Sequence, residues 1–171
     1  MSLALLITTY NRSDALDRVL ESVIRQSRMP DEVVIADDGS SVSTVQMIKK
    51  WQDQLPLKHT WLPDAGFRAA RSRNLSILKI KSEYIVMVDG DCVLPPTFLD
   101  RHFNLAKRGM MVAGGRHLFS DEYTRKLLSK SAAEVSFGFV SPKFWSLPMG
   151  LFRSLGGRNW KKVRSCNLGV W

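Results

Sequence analysis

Short apolar runs without helical period alternate with amphipathic stretches along most of this chain, and that alternation narrows its folds more than any other feature. Leu3 to Thr8 is such a run, suited to a strand buried on both faces. Ser13 is placed to cap a helix in which Leu16, Val19, Leu20, Val23 and Ile24 recur at three- and four-residue steps before Pro30. Glu32 to Ala36 predicts a second strand, about Thr44 to Gln54 a helix, and Lys58 to Leu62 a third strand. Phe67 to Leu78 then reads as a helix, Tyr84 to Val88 as a central strand, Thr97 to Lys107 as a helix and Met110 to Ala113 as a strand. This βαβαβ rhythm predicts an α/β fold whose mostly parallel sheet carries helices on both faces. Beyond Gly114-Gly115 the rhythm fails. Asp121 to Ala133 has a helical pattern, Phe137 to Gly157 mixes aromatics, Pro and Gly without a clean period, and Ser165 to Trp171 reads as the start of a strand.

A chain of 171 residues that is 44% apolar suits one compact domain with a real core. Its longest uncharged apolar stretch, Leu3 to Ile7, falls far short of the roughly 20 residues a membrane-spanning helix needs, and no basic segment precedes it as in a signal peptide. Cys92 and Cys166, the only cysteines, have neither zinc spacing nor the density of a disulfide framework, so a reducing cytoplasm is expected. The net charge of +9 points to an anionic partner: nucleic acid, a phosphate ligand or a membrane surface. Its distribution is uneven. Five basic residues and no acid lie between Arg153 and Arg164, whereas acids dominate the short loops after the strands.

In an open parallel sheet, ligands bind beyond the carboxyl ends of the strands, where loops and helix N-termini converge. Four polar motifs fall at those ends: Thr8-Thr9-Tyr10-Asn11-Arg12, Asp37-Asp38-Gly39-Ser40, Asp64-Ala65-Gly66-Phe67-Arg68 and Asp89-Gly90-Asp91. The last is the sharpest. Two carboxylates separated by one small residue repel each other unless a cation intervenes, and a hard divalent ion, magnesium or manganese, would accept them together with a diphosphate and water. Asp-Gly is also ordinary turn chemistry. Asp37 and Asp38 could likewise be turn and N-cap residues, or could accept hydrogen bonds from a base or ribose. Arg68, Arg71 and Arg73, with Asn74, offer cations for phosphates at the start of a helix. Arg68 and Arg71, three apart, could point together while Arg73 falls elsewhere on the wheel. The bland alternative is a solvated helical face. No P-loop and no dinucleotide fingerprint occurs, which argues against ATP hydrolysis and NAD chemistry. His59 and His102 read as strand and helix residues, and His117 is the one histidine placed near the site.

Taken together in this order, the four loops resemble family-two inverting glycosyltransferases of the Rossmann-like GT-A fold, of the bacterial polysaccharide or lipopolysaccharide type. The resemblance covers roughly Leu3 to Arg116. It implies that Thr9, Tyr10 and Asp37 line a nucleotide base, that Arg71 or Arg73 lies near the base or diphosphate, and that Asp89 sits by the ribose while Asp91 holds the metal. Thr8, Arg12, Asp38, Asp64, Gly66, Arg68, Asn74 and Gly90 complete the expected donor site, and a UDP-sugar is the expected donor. An acceptor hydroxyl, on a saccharide or a lipid-linked carrier, would attack the anomeric carbon as the nucleoside diphosphate departs from the opposite face, inverting the configuration.

By the same resemblance, residues 1–116 form the nucleotide-sugar-binding core and residues 117–171 begin an acceptor-side region. The acidic general base is expected beyond Trp171, and the chain is then expected to bind nucleotide yet transfer sugar poorly. Glu122 and Glu134 read as helix-surface residues. The aromatic, basic segment from Phe137 to Trp160 could pack internally, cover the acceptor or rest on anionic lipid at the inner face of the cytoplasmic membrane. Two other readings compete. A nucleotidyltransferase would carry a Gly-rich basic loop after the first strand, where this chain has Thr-Thr-Tyr-Asn-Arg. A nucleic-acid-binding module would explain the charge but not the acidic loop ends, so no nucleic-acid partner is expected.

Overall fold

In a computed structural model, the chain is described over residues 1–116 and 118–130, together with strands Phe144–Pro148 and Asn167–Val170. The elements run β1 (Leu3–Thr9), α1 (Ser13–Val23), β2 (Glu32–Asp37), α2 (Val42–Lys49), β3 (Leu57–Trp61), α3 (Ala69–Ile77), β4 (Tyr84–Asp89), α4 (Phe98–Leu105), β5 (Met110–Gly114), α5 (Asp121–Ser129), β6 (Phe144–Pro148) and β7 (Asn167–Val170). They build one seven-stranded sheet in the order β3-β2-β1-β4-β7-β5-β6. β1 pairs in parallel with both β2 and β4, and β2 with β3. β7 runs antiparallel between β4 and β5, and β6 antiparallel outside β5. The sheet is therefore mostly parallel, as the alternation predicts, and two of its strands come from the region where the rhythm fails.

Both faces are covered. Leu3, Leu5 and Ile7 of β1, with Val33, Ile35, Val86 and Val88, pack against Leu16, Val19, Leu20 and Val23 of α1, Ile48 of α2, and Phe98 and Leu99 of α4. The alternate residues Leu6, Val34 and Ala36 face the other way, towards Ile77 at the end of α3 and Ile80 in the segment after it. α1 begins at Ser13, one residue earlier than a Ser13 cap implies: Arg12, not Ser13, occupies the cap position, and no side chain caps the helix. α3 begins two residues later than the sequence suggests, with Arg68 as its non-helical cap. Among the described residues no helix is long and apolar enough to cross a membrane.

His102 is a fully buried polar residue of this core. Its Nδ1 lies 3.1 Å from Tyr84 Oη, and its ring stands edge-on to Phe98. Burial pushes its pKa down from 6.5 to about 4. The folded chain thus keeps His102 neutral over a range in which the unfolded chain protonates it, so the contribution of His102 to stability is lost as pH drops from 6.5 towards 4 and changes no further below. At 1.36 kcal/mol per pKa unit the loss is about 3 kcal/mol. Glu32, held down to about 2, contributes its own loss only below 4.5. Thermal unfolding between pH 4 and 7 should show the His102 loss, and His102→Gln should flatten it.

Candidate active site

The order β3-β2-β1-β4 means that the chain leaves β1 to one side and returns on the other, so a crevice opens between the carboxyl ends of β1 and β4. The acidic turn Asp89-Gly90-Asp91 sits there. Gly90 N–H donates to Thr8 O at 2.7 Å, and a Cβ on Gly90 would lie 2.8 Å from that same oxygen. The turn is thus pressed onto β1, with no room for a side chain at its centre.

Arg73 ties three elements together from α3. Its Nε donates to Thr8 Oγ1 at 2.8 Å, and its guanidinium pairs with Asp89 Oδ1 at 2.9 Å. Asp91 is exposed, and ligand atoms of Asp89, Asp91 and Cys92 lie within 4.8 Å of one another. Burial, followed by the charges of Asp91 and Asp89, pushes the Cys92 thiol up to about 11. The two carboxylates are hard oxygen donors, which fits magnesium or manganese, whereas a thiol is the softer ligand of the three. Arg12, hydrogen-bonded to Asp14, also feels the charge of Asp91, and both raise its pKa.

The second acidic motif divides its labour. Asp37 is fully buried, its Oδ1 accepts from Ser40 N–H at 2.8 Å, and its Oδ2 lies 2.9 Å from His59 Nε2. Burial alone would raise this carboxyl, but the hydrogen bonds from His59 and Ser40 outweigh it and hold the pKa below the ordinary range. Both oxygens are engaged inside the protein. Asp38 differs: Oδ2 accepts from Arg68 N–H at 2.6 Å, while Oδ1 is buried and has no partner among the described residues. The expected base-lining role of Asp37 therefore meets an oxygen pair already committed, and the open acceptor is on Asp38.

The loops are laced to one another. Asn11 N–H donates to Ser40 Oγ, Ser41 N–H to Asn11 Oδ1, and Asp38 N–H to Thr9 O. Tyr10, half-exposed, donates its hydroxyl to Asp64 Oδ2 at 2.9 Å; that bond and the carboxylate's charge raise the phenol's pKa. Gly66 N–H donates to Asp64 Oδ1 at 3.3 Å. Thr9 Oγ1 is buried without a partner among the described residues.

The arginines are not arranged as the helical wheel suggests. Arg68 precedes the helix and turns its guanidinium back to Pro63 O, and Arg71 is exposed. Arg73 is the one that reaches the acidic turn. Asn74 is exposed on the same helix, and Glu122 is exposed on α5. His117, Glu134 and the segment 137–160, apart from the backbone of β6, lie outside the described residues. Ser40 is the last residue of the second motif and His59 sits on a strand as expected, but their bonds to this turn, and the part played by Trp61, were not foreseen; only the placing of His59 and Trp61 on the neighbouring strand could have signalled them.

A doubly covered, mostly parallel sheet with its acidic turn at the switch point is the GT-A fold of glycosyltransferases. The chain belongs to glycosyl transferase family 2, whose sequence model matches residues 4–164. It is 32% identical over 99 residues to validoxylamine A glucosyltransferase of Streptomyces hygroscopicus subsp. limoneus, covering 57% of this chain and 22% of that protein. It is 33% identical over 92 residues to chondroitin synthase of Pasteurella multocida, covering 53% of this chain and 10% of the relative. The chain thus spans less than a quarter of the length of either protein. Among solved structures, S. aureus TarS 1–349 in complex with UDP is similar at 26% identity and a TM-score of 0.56, over 61% of this chain and 31% of that one. The same protein solved with UDP-GlcNAc is similar at 27% identity and a TM-score of 0.55, over 61% of this chain and 30% of that one. The mannosyltransferase PcManGT of Pyrobaculum calidifontis, solved with GDP-Man and Mn2+, shares the fold at 19% identity and a TM-score of 0.58, over 91% of this chain and 46% of that one.

Proposed function

We propose that this chain carries the donor site of an inverting, metal-dependent glycosyltransferase that takes its sugar from a UDP-sugar and builds a polysaccharide or glycolipid. The observation that carries the reading is Arg73, which joins Thr8 and the Asp89-Gly90-Asp91 turn in one crevice. The similar structures that hold UDP and UDP-GlcNAc supply the choice of nucleotide.

In this reading Asp38 Oδ1 accepts from the base, with Thr9 and Tyr10 beside it. Asp89, fixed by Arg73, faces the ribose, and Asp91 with Asp89 holds magnesium or manganese. Such an ion neutralises charge growing on the departing diphosphate, an effect worth several kcal/mol in a transition state. Arg73 at the acidic turn and the exposed Arg71 two residues before it on α3 are the cations this reading offers to the base or diphosphate, and attack on the face opposite the leaving group gives inversion. Residues 1–116 form the donor side and 117–171 the acceptor side in this assignment, at the cytoplasmic face of a membrane where lipid-linked acceptors lie. We assign no general base.

Calorimetric titration with UDP, with and without manganese, tests the reading against GDP, ADP and a nucleic-acid duplex. Asp38→Asn is the informative variant. Whichever way its amide turns, an N–H faces either Arg68 N–H or the base donor, so one hydrogen bond to a charged acceptor is lost. UDP affinity should fall about 10- to 100-fold. Equal UDP binding by the variant would remove Asp38 from the site, and duplex binding without any response to UDP would replace the reading.

A further inference from the structure

We propose that His59, on the edge strand β3 and outside the donor site itself, is a positioning residue that sets base recognition by holding the turn that carries Asp38. The inference rests on the assignment of Asp38 to the base.

The turn Asp37–Ser40 is clamped from two sides. From the end of β1 and the loop after it come the bonds of Asp38 N–H to Thr9 O and of Asn11 N–H to Ser40 Oγ. From β3 come His59, which donates Nε2–H to Asp37 Oδ2 at 2.9 Å, and Trp61, whose Nε1–H donates to Ser40 O at 3.0 Å. Leu62 N–H adds a bond to Asp37 O at 3.2 Å. Asp37 is the hinge of this arrangement, because it is completely buried and spends its other oxygen on Ser40 N–H. A buried carboxylate keeps its charge only while donors surround it. Without the His59 donor, Asp37 must take up a proton or rotate towards another donor. Protonation at Oδ2 weakens the bond that Oδ1 accepts from Ser40 N–H and rotation breaks it, and either lets the turn relax. Asp38 is the next residue along, and its buried Oδ1 is the acceptor left open. Gly39, at φ +104 and packed against Asp64, transmits any movement of the turn directly to the neighbouring loop.

The consequence is specific. Loss of the His59 donor should weaken the hydrogen bond between base and Asp38 while sparing contacts to ribose and diphosphate. The test compares dissociation constants for UDP and for UDP methylated at uracil N3, which lacks the N–H that Asp38 would accept. The variants are His59→Phe and His59→Leu, which lack a donor, and His59→Gln, which keeps one; circular dichroism confirms which of them fold. The wild type should prefer UDP over the methylated analogue by about tenfold or more. In the folded donor-less variant that preference should collapse towards one, with affinity for the analogue unchanged, and His59→Gln should restore most of it. A variant that loses affinity equally for both ligands, or that keeps the wild-type preference, would overturn the role of His59. A wild type that binds UDP without discriminating against the analogue would instead overturn the assignment of Asp38, and this inference with it. A wild type that binds neither would refute the donor-site reading as a whole.

Discussion

Alanine in place of Asp91 is expected to abolish the manganese-dependent part of UDP binding and to slow any sugar transfer by about 100- to 1,000-fold. The reason lies in how the acidic pair is committed. Asp89 spends Oδ1 on Arg73, and its turn is pressed against Thr8 by the close approach at Gly90. Asp91 is exposed, and its contact with the Cys92 thiol, at 3.6 Å, is weak. It is therefore the carboxylate with oxygens to give to a cation, while Asp89 is the one held in place. Titration of UDP with and without manganese separates the two roles. Asp91→Ala should erase the difference between the two curves and leave metal-free binding near the wild-type value. An undiminished manganese response would strip Asp91 of the assignment.

Gly39→Ala should be the most disruptive single methyl in the described part of the molecule. The residue has φ +104, and a Cβ there would stand 2.6 Å from Asp64 Cα and 2.7 Å from Asp64 N, backbone atoms that cannot swing aside. Left-handed strain and overpacking each cost about 1 to 3 kcal/mol, so a combined loss of about 3 to 4 kcal/mol is expected. For a chain of this size, that lowers the melting temperature by roughly 10 °C. Gly66→Ala provides the control. It too has positive φ, +80, but nothing lies within 4 Å of its added carbon, so it should cost only the strain, about 1 to 2 kcal/mol. Thermal melts of the two variants side by side decide whether crowding or backbone angle dominates; equal losses would dismiss the crowding at Gly39.

Much of the scaffold could be read from periodicity. β1, β2 and β4 are uninterrupted apolar runs because both of their faces are covered, and α1 carries its buried residues at helical steps. The acidic tips were legible for the same reason: a charged pair directly after a buried run has to emerge at the strand's end. What could not be read was the use of each oxygen. Nothing near Asp37 in sequence shows that His59, 22 residues away, will meet it, since that pairing depends on the parallel register of β2 and β3. The grouping of Arg68 with Arg71 on one helical face was undone by a helix boundary. With α3 starting at Ala69, Arg68 lies off the wheel altogether, and Arg73 turns inward to Thr8 and Asp89. β6 was hidden, and β7 was legible only as the start of a strand within Ser165 to Trp171, because antiparallel insertions lack the strand-helix rhythm that announced the others.

The place of β7 bears on how the molecule is assembled. Residues 168–170 pair with Ile85, Val86 and Met87 on one side and with β5 on the other. During synthesis, β4 can dock on β1 as soon as it emerges, but its outer rim and that of β5 stay bare until the ribosome has released a segment some eighty residues further along. Pairing over such separations is slow, and naked rims invite sticking between chains. Until β7 is in place, a strand bearing Asp89 that has already docked on β1 is sealed on one flank only, and that open flank is where sticking between chains would begin.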